Sequence, residues 1–212
     1  KRVLCLPIPI DLKAFFAVVP HQSNEGANPV LLYAGQVKKI KGIDILIEAL
    51  ALLRKEGTNV KLLIAGGATN PEDEEFLQEL KEKGQAELSS AHGFEIEFLG
   101  WQDHEKLPGV YERADIFVLP SLSEAWGIVI AEAMAAGLPV VASDVSGPRD
   151  LVAEGETGYL ARAGNPVALK EKLATLLRDS RLRESMGLAG RARVKRYMQE
   201  AFEANQTFWS TL

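Results

Sequence analysis

The 212-residue sequence holds one cysteine, Cys5, and three histidines, His21, His92 and His104. A single thiol excludes an intrachain disulfide and a cysteine-built metal centre, and histidines this scattered lack metal-ligand spacing. Sparse cysteine fits a reducing, cytoplasmic compartment. Long apolar runs are missing: none approaches the roughly 20 residues of a membrane span. No signal-peptide pattern occurs either. Positive charge is not in excess, since 24 Lys and Arg face 29 Asp and Glu, a net charge of −5. That balance argues against a general nucleic-acid binder. Neither G-x-x-x-x-G-K-[ST] nor G-x-G-x-x-G is present, which excludes the standard phosphate loop and the dinucleotide fingerprint. Internal repeats and low-complexity tracts are absent as well.

Against these absences stands an ordinary globular composition, 47% apolar and 25% charged, sufficient for one good core or two small ones. The chain opens at Lys1 and its first residues read as a mid-protein segment, so a piece of a larger protein is expected. Short β-rich runs alternate with longer helical patterns. Val30–Ala34, Val60–Ala65, Ile96–Leu99, Ile116–Leu119 and Val140–Ser143 read as buried strands, with Gly158–Leu160 as a short edge strand. Ile43, Leu46, Ile47, Leu50 and Leu53 share one helical face that Gly57 can terminate. Asn70-Pro71 and the acidic run after it start another helix. Glu105–Ala114 and Ile128–Ala136 supply two more, Asn165-Pro166 and Ser180 open two further ones, and Tyr197–Trp209 forms a last. This alternation predicts an α/β fold, a Rossmann-like doubly wound parallel sheet, whose ligands bind beyond the carboxyl ends of the strands. Residues 1–28 read as a connector, 29–196 as the binding domain and 197–212 as a terminal helix.

The most informative stretch is Ser121–Asp144. Glu124 in a loop and Glu132 in the helix after it stand eight residues apart, with Ala125, Trp126, Gly127 and Ile128 between them. A helix start offers unpaired N–H groups to phosphate, and flanking carboxylates accept hydrogen bonds from sugar hydroxyls. Such a combination makes a nucleotide-sugar site. The bland alternative is a charge near a helix start and a solvated helix residue. It fails for Glu132, which is embedded among Ile128, Val129, Ile130, Ala131, Ala133 and Met134, where an unpaired charge is costly. Gly35-Gln36-Val37-Lys38-Lys39-Ile40-Lys41-Gly42 follows the first strand and brings lysine charge to a sharp turn. A lone lysine-rich loop is more often a solvated turn. Gly66-Gly67 ends the second strand, where either a base or ribose approaches closely or the chain simply turns. The C-terminal basic residues Arg181, Arg183, Arg191, Arg193, Lys195 and Arg196 usually mean a solvated face. Less often such a helix touches an anionic surface, here as a peripheral contact with the cytoplasmic face of a membrane.

Taken in order, these residues resemble the donor-binding C-terminal domain of retaining GT-B glycosyltransferases, the family with the E-x7-E signature, over nearly the whole chain. Pro7-Ile8-Pro9-Ile10-Asp11 followed by Phe15 resembles its linker, and Gly35–Gly42 its G-R-L-x-x-x-K-G loop. Phe98-Leu99-Gly100, Leu107, Tyr111, Ala114-Asp115, Pro120-Ser121, Glu124–Glu132, Gly137–Val141 and Gly155–Gly158 then follow in family order. The resemblance implies one half of a GT-B fold and transfer of a sugar from a nucleoside-diphosphate sugar to an acceptor hydroxyl, in polysaccharide or glycolipid synthesis. It implies that Glu124 holds the transferred sugar and Glu132 the ribose. Gly127 and Ile128, with Ala125 and Trp126 beside them, would offer N–H groups. Lys41 would neutralise the leaving diphosphate, with Gly35 and Gln36 beside it. Gly66, Trp101, Gln102 and Leu107 would surround the base. No metal or other cofactor is implied. The partners are the donor and a missing N-terminal acceptor domain, without which this chain is expected to be inactive.

Gln36 departs from the family's arginine and removes a permanent charge, for which Lys38 or Lys39 could compensate. Ser146-Gly147 and Asp150 replace a more usual Gly-Gly and Glu. Two rival readings are a sugar-nucleotide epimerase and a non-catalytic nucleotide-sugar-binding module. The scattered histidines give the first no convergent acid/base set, while Gln36 and the missing half keep the second open as a minor alternative.

Overall fold

The computed structural model describes residues 10–20, 28–88 and 94–210, with side chains to residue 203. Cys5, His21, His92, Pro7–Pro9 of the linker and the side chains of Phe208 and Trp209 lie outside the described residues. Six parallel strands form one sheet: β1 (Val30–Ala34), β2 (Lys61–Ala65), β3 (Glu95–Gly100), β4 (Ile116–Leu119), β5 (Val140–Ser143) and β6 (Gly158–Ala161). Their order is β3-β2-β1-β4-β5-β6, with β1 Leu31 beside β4 Ile116 and Leu32 beside Phe117. The chain therefore reverses its direction of travel across the sheet between β1 and β4, where the loops leaving the two strands diverge and open a crevice.

The central strands are buried on both faces, which is why they read as unbroken apolar runs. Edge strand β3 differs. Glu97 pairs with Lys61 at 2.8 Å and Arg113 at 2.9 Å, so charge rather than a second layer covers this edge. Helix α2 (Ile43–Lys55) buries Ile43, Leu46, Ile47, Leu50 and Leu53 completely, the face its periodicity predicts. Helix α3 spans Pro71–Leu88. Helix α4 is only Leu107–Tyr111, shorter than the expected 105–114: Pro108 has no N–H for a helix begun at 105, and at the far end the N–H groups of Arg113 and Ala114 turn to the i−3 carbonyls of Val110 and Tyr111. Helix α5 is Ile128–Ala135 and the short α6 is Ser146–Leu151, an element without a periodic signal in the sequence. Helix α7 (Pro166–Arg178) is capped by Asn165, whose Oδ1 accepts from the N–H groups of Val167 and Ala168 at 3.0 Å.

Two expectations change at the ends of the chain. The connector contains a helical turn, α1 (Lys13–Phe16), whose Phe15 is completely buried and meets the Tyr111 ring edge-on at 5.2 Å. The terminal helix expected from Tyr197 is not separate: α8 runs unbroken over Ser180–Ser210. No proline interrupts that stretch, and Gly187 lets the helix pass against the carbonyl of Gly137, where a Cβ would stand 2.0 Å from oxygen. Three of its arginines serve main-chain carbonyls instead of forming a solvated face. Arg183 donates to Leu176 and Leu177, Arg193 to Leu151 and Asp150, and Arg191 to Phe16 and Val18. Only Arg181, Lys195 and Arg196 remain as exposed members of the basic set.

Candidate nucleotide-sugar site

Most of the site residues expected from the sequence lie on loops that leave the carboxyl ends of β1 to β4, while Leu107 opens α4 and Ile128 and Glu132 belong to α5. After β1, Gly35 and Gln36 turn into a single 3-10 turn, Lys39–Lys41, and Gly42 opens α2. After β4, Pro120 and Leu122 pack on that turn, with the Leu122 N–H donating to the Ile40 carbonyl at 2.8 Å. The two loops thus meet across the crevice. There the Lys41 ammonium donates to Glu124 Oε2 at 2.8 Å, both side chains largely shielded from solvent. The Glu124 carbonyl is held in turn by the N–H of Gly147 at 3.1 Å, so the start of α6 fixes the backbone under this carboxylate. Gly127, with φ at +83°, supplies the left-handed turn into α5. The N–H groups of Ile128 and Val129 precede the first α-helical hydrogen bonds of α5, while the Ile130 N–H donates to Gly127.

Gly66 and Gly35 form the floor of the second half. The Gly66 N–H donates to the Gly100 carbonyl at 2.8 Å and the Gly35 N–H to Ala65 at 2.9 Å. The Trp101 indole lies over Gly67 with its N–H donating to Ala68 at 3.2 Å, and stays 57% exposed, offering a free ring face. Gln102 turns its amide N–H back onto Leu99 at 2.7 Å, and Leu107 is half-buried at the start of α4. Ala125 is exposed, and Trp126 packs on Tyr197 of α8 with ring centroids 5.7 Å apart.

Glu132 has a different set of neighbours from Glu124. It is 5% exposed and accepts from the Tyr111 hydroxyl at 2.8 Å, with His104 Nε2 3.8 Å away. Burial holds its carboxyl above the ordinary carboxylate value, while the Tyr111 hydrogen bond and the His104 charge pull the other way. Burial, then the Glu132 charge, also keeps the Tyr111 phenol well above its usual range, so it remains a donor. The need of Glu132 for a partner was readable from its apolar helix; the identity of that partner was not, because Tyr111 lies 21 positions away. Tyr33 was likewise missed. Its buried hydroxyl donates to the Gln36 carbonyl at 2.6 Å and shapes the loop from below. Burial first and the Glu124 charge second raise its pKa far above the usual phenol range.

The two lysines offered as substitutes for the charge missing at Gln36 are differently engaged. Lys39 lies 5.9 Å above the Phe76 ring, and Lys38 is 3.8 Å from Asp73, a buried carboxylate that also accepts from Thr69 Oγ1 at 2.6 Å. Among the described residues, no group of three or more His, Cys, Asp or Glu side chains could hold a metal ion, and no helix is long and apolar enough to cross a membrane. A cavity of 440 Å³ between Val19, Leu138 and Leu188 opens at the amino ends of β4 and β5, away from these loops.

Residues 19–193 match the family described as Glycosyl transferases group 1. A D-inositol 3-phosphate glycosyltransferase of Corynebacterium glutamicum (strain R) is 36% identical over 162 residues, 74% of this chain and 37% of that protein. The chain thus spans well under half the length of that relative. Among solved structures, HepE of Anabaena in complex with UDP and glucose superposes with a TM-score of 0.75 at 26% identity, over 87% of this chain and 48% of that one. The C-terminal domain of a glycosyl transferase group 1 family protein (LpcC) of Francisella tularensis superposes with a TM-score of 0.72 at 26% identity, over 88% of this chain and 97% of that domain. Six parallel strands, the break between β1 and β4 and these matches lead to one assignment: the chain belongs to the group 1 glycosyltransferases and has the Rossmann-like fold of a GT-B C-terminal domain.

Proposed function

We propose that this chain is the donor-binding half of a retaining glycosyltransferase that moves a sugar from a nucleoside diphosphate to an acceptor hydroxyl, in polysaccharide or glycolipid synthesis. The observation that carries the reading is the Lys41–Glu124 pair at the break in strand order, a cation and a carboxylate held 2.8 Å apart where α/β sheets bind ligands. In transfer, the bond between the anomeric carbon and the diphosphate breaks and its electron pair leaves with the diphosphate. The acceptor oxygen bonds to the same carbon and its proton passes to the departing diphosphate oxygen. The largest charge develops on the leaving group, and Lys41 with the N–H groups at the start of α5 answers it without a metal.

Glu124 accepts from hydroxyls of the transferred sugar, and Glu132 from the ribose. The exposed Trp101 face and the backbone of Gly66 and Gly67 receive the base. A UDP complex of a structural neighbour supports a nucleotide donor here. The family signature, Glu124 and Glu132 in E-x7-E spacing, supports retention of configuration. The acceptor side belongs to an N-terminal domain, and these 212 residues alone turn over little or no substrate.

Isothermal titration of the chain with UDP, GDP and ADP, wild type beside Glu132→Ala, tests the reading. Saturable binding of one nucleotide, weakened by the substitution, supports it. Turnover by the isolated chain would contradict the need for a second domain, and formation of an epimerised nucleotide sugar without acceptor would replace transfer by epimerisation.

A further inference from the structure

Tyr111 is held too tightly to be an incidental neighbour of Glu132. It is completely buried, and its ring lies parallel to Phe117 at 5.7 Å and takes Phe15 edge-on at 5.2 Å, contacts that set its plane. A phenol has one proton to give. The Val129 carbonyl stands 3.5 Å from the hydroxyl, at the limit of a hydrogen bond, whereas Glu132 Oε2 stands at 2.8 Å and carries charge. Oε2 therefore has one lone pair engaged inside the protein, and the carboxyl is held in one orientation. His104 Nε2, 3.8 Å from Oε1, is too far to occupy that second oxygen by a hydrogen bond. Oε1 keeps two lone pairs on the side of the loop that carries Trp101, Gln102 and His104, and a vicinal diol supplies two donors.

We infer that Tyr111 is a positioning residue for ribose recognition: by holding Oε2 it turns Glu132 Oε1 toward the ribose 2′- and 3′-hydroxyls as their main acceptor. The inference rests on the reading of Glu132 as the ribose-binding carboxylate. Its consequence is a preference for ribonucleotides over 2′-deoxynucleotides that depends on a phenol which never touches the ligand.

The test is titration of the 212-residue chain with UDP, GDP and ADP and with dUDP, dGDP and dADP, with thermal melting of every variant. The wild type prefers the ribose form of its nucleotide by about tenfold, the value of one hydrogen bond to a charged group. Glu132→Ala abolishes the preference. Tyr111→Phe lowers it to about twofold or less, whereas Phe15→Leu, which trims the packing but leaves the hydroxyl and the Phe117 stack in place, keeps most of it. A second measurement needs no variant: the Tyr111 13Cζ resonance shifts on saturation with the ribonucleotide and not with its deoxy counterpart. A full preference in Tyr111→Phe, or an unmoved resonance, would overturn the inference while leaving the role of Glu132 intact. A full preference in Glu132→Ala, or no binding of any nucleotide to the wild type, would overturn the underlying reading and this inference together.

Discussion

Lys41 and Glu124 are 83 positions apart in the chain and meet at 2.8 Å, one from each side of the break in strand order. Neither side chain is more than 22% exposed, so each is costly to leave without the other. Lys41→Met and Glu124→Gln are each expected to destabilise the fold by about 1–3 kcal/mol, and the double variant by less than their sum, with a coupling above about 0.5 kcal/mol. Urea unfolding of the four proteins measures it; strict additivity would mean that the two charges act independently.

Gln36 is exposed, and its carbonyl is already fixed by Tyr33, so a longer side chain is accommodated without remaking the loop. Gln36→Arg is expected to tighten nucleoside-diphosphate binding by about three- to tenfold, because a guanidinium fork matches phosphate oxygens. Titration at two salt concentrations checks it, the gain shrinking at the higher one. Equal affinity would show that Lys38 already supplies the missing charge.

Gly66 tolerates no side chain. Its φ is +148°, and a Cβ would stand 1.7 Å from the Gly35 carbonyl oxygen. Gly66→Ala is expected to lose at least about 3 kcal/mol of stability, from backbone strain and forced separation of the two loops. Chemical denaturation reads this directly, and a loss under 1 kcal/mol would show that the loops can part.

Glu132 makes stability depend on pH with a defined sign. Its folded-state pKa is raised above the ordinary 4.5, chiefly by burial, so the native state holds the proton more tightly than the unfolded chain. Its favourable contribution is fully present below the ordinary value and is lost as pH rises through the raised one. Glu132→Gln carries no such loss. Its stability relative to wild type is expected to grow as pH rises from 4, below the ordinary value, to 8, and melting curves at both would expose a flat or inverted trend.

The architecture was legible because parallel strands buried on both faces are written as apolar blocks: β1, β4 and β5 fall at the residues that pattern marks. Elements set by single contacts were less legible. Helix α6 has no apolar period, and α1 exists because Phe15 finds a place against Tyr111, a long-range event that local composition does not encode. The same holds for the site. The loops that carry Lys41, Gly66 and Glu124 were legible as turns after apolar runs and the family resemblance singled out these residues, whereas Tyr33 and Tyr111 act through ring packing and one hydroxyl each.

Arg191 fastens the α1 segment to α8 through the carbonyls of Phe16 and Val18, and both of these helices rest on α5. The leading helical turn α1 and the trailing helix α8 are therefore tied together behind the helix that bears Glu132. A load applied to the α1 segment or to α8 reaches the helix that carries Glu132 through these contacts, without passing through the sheet.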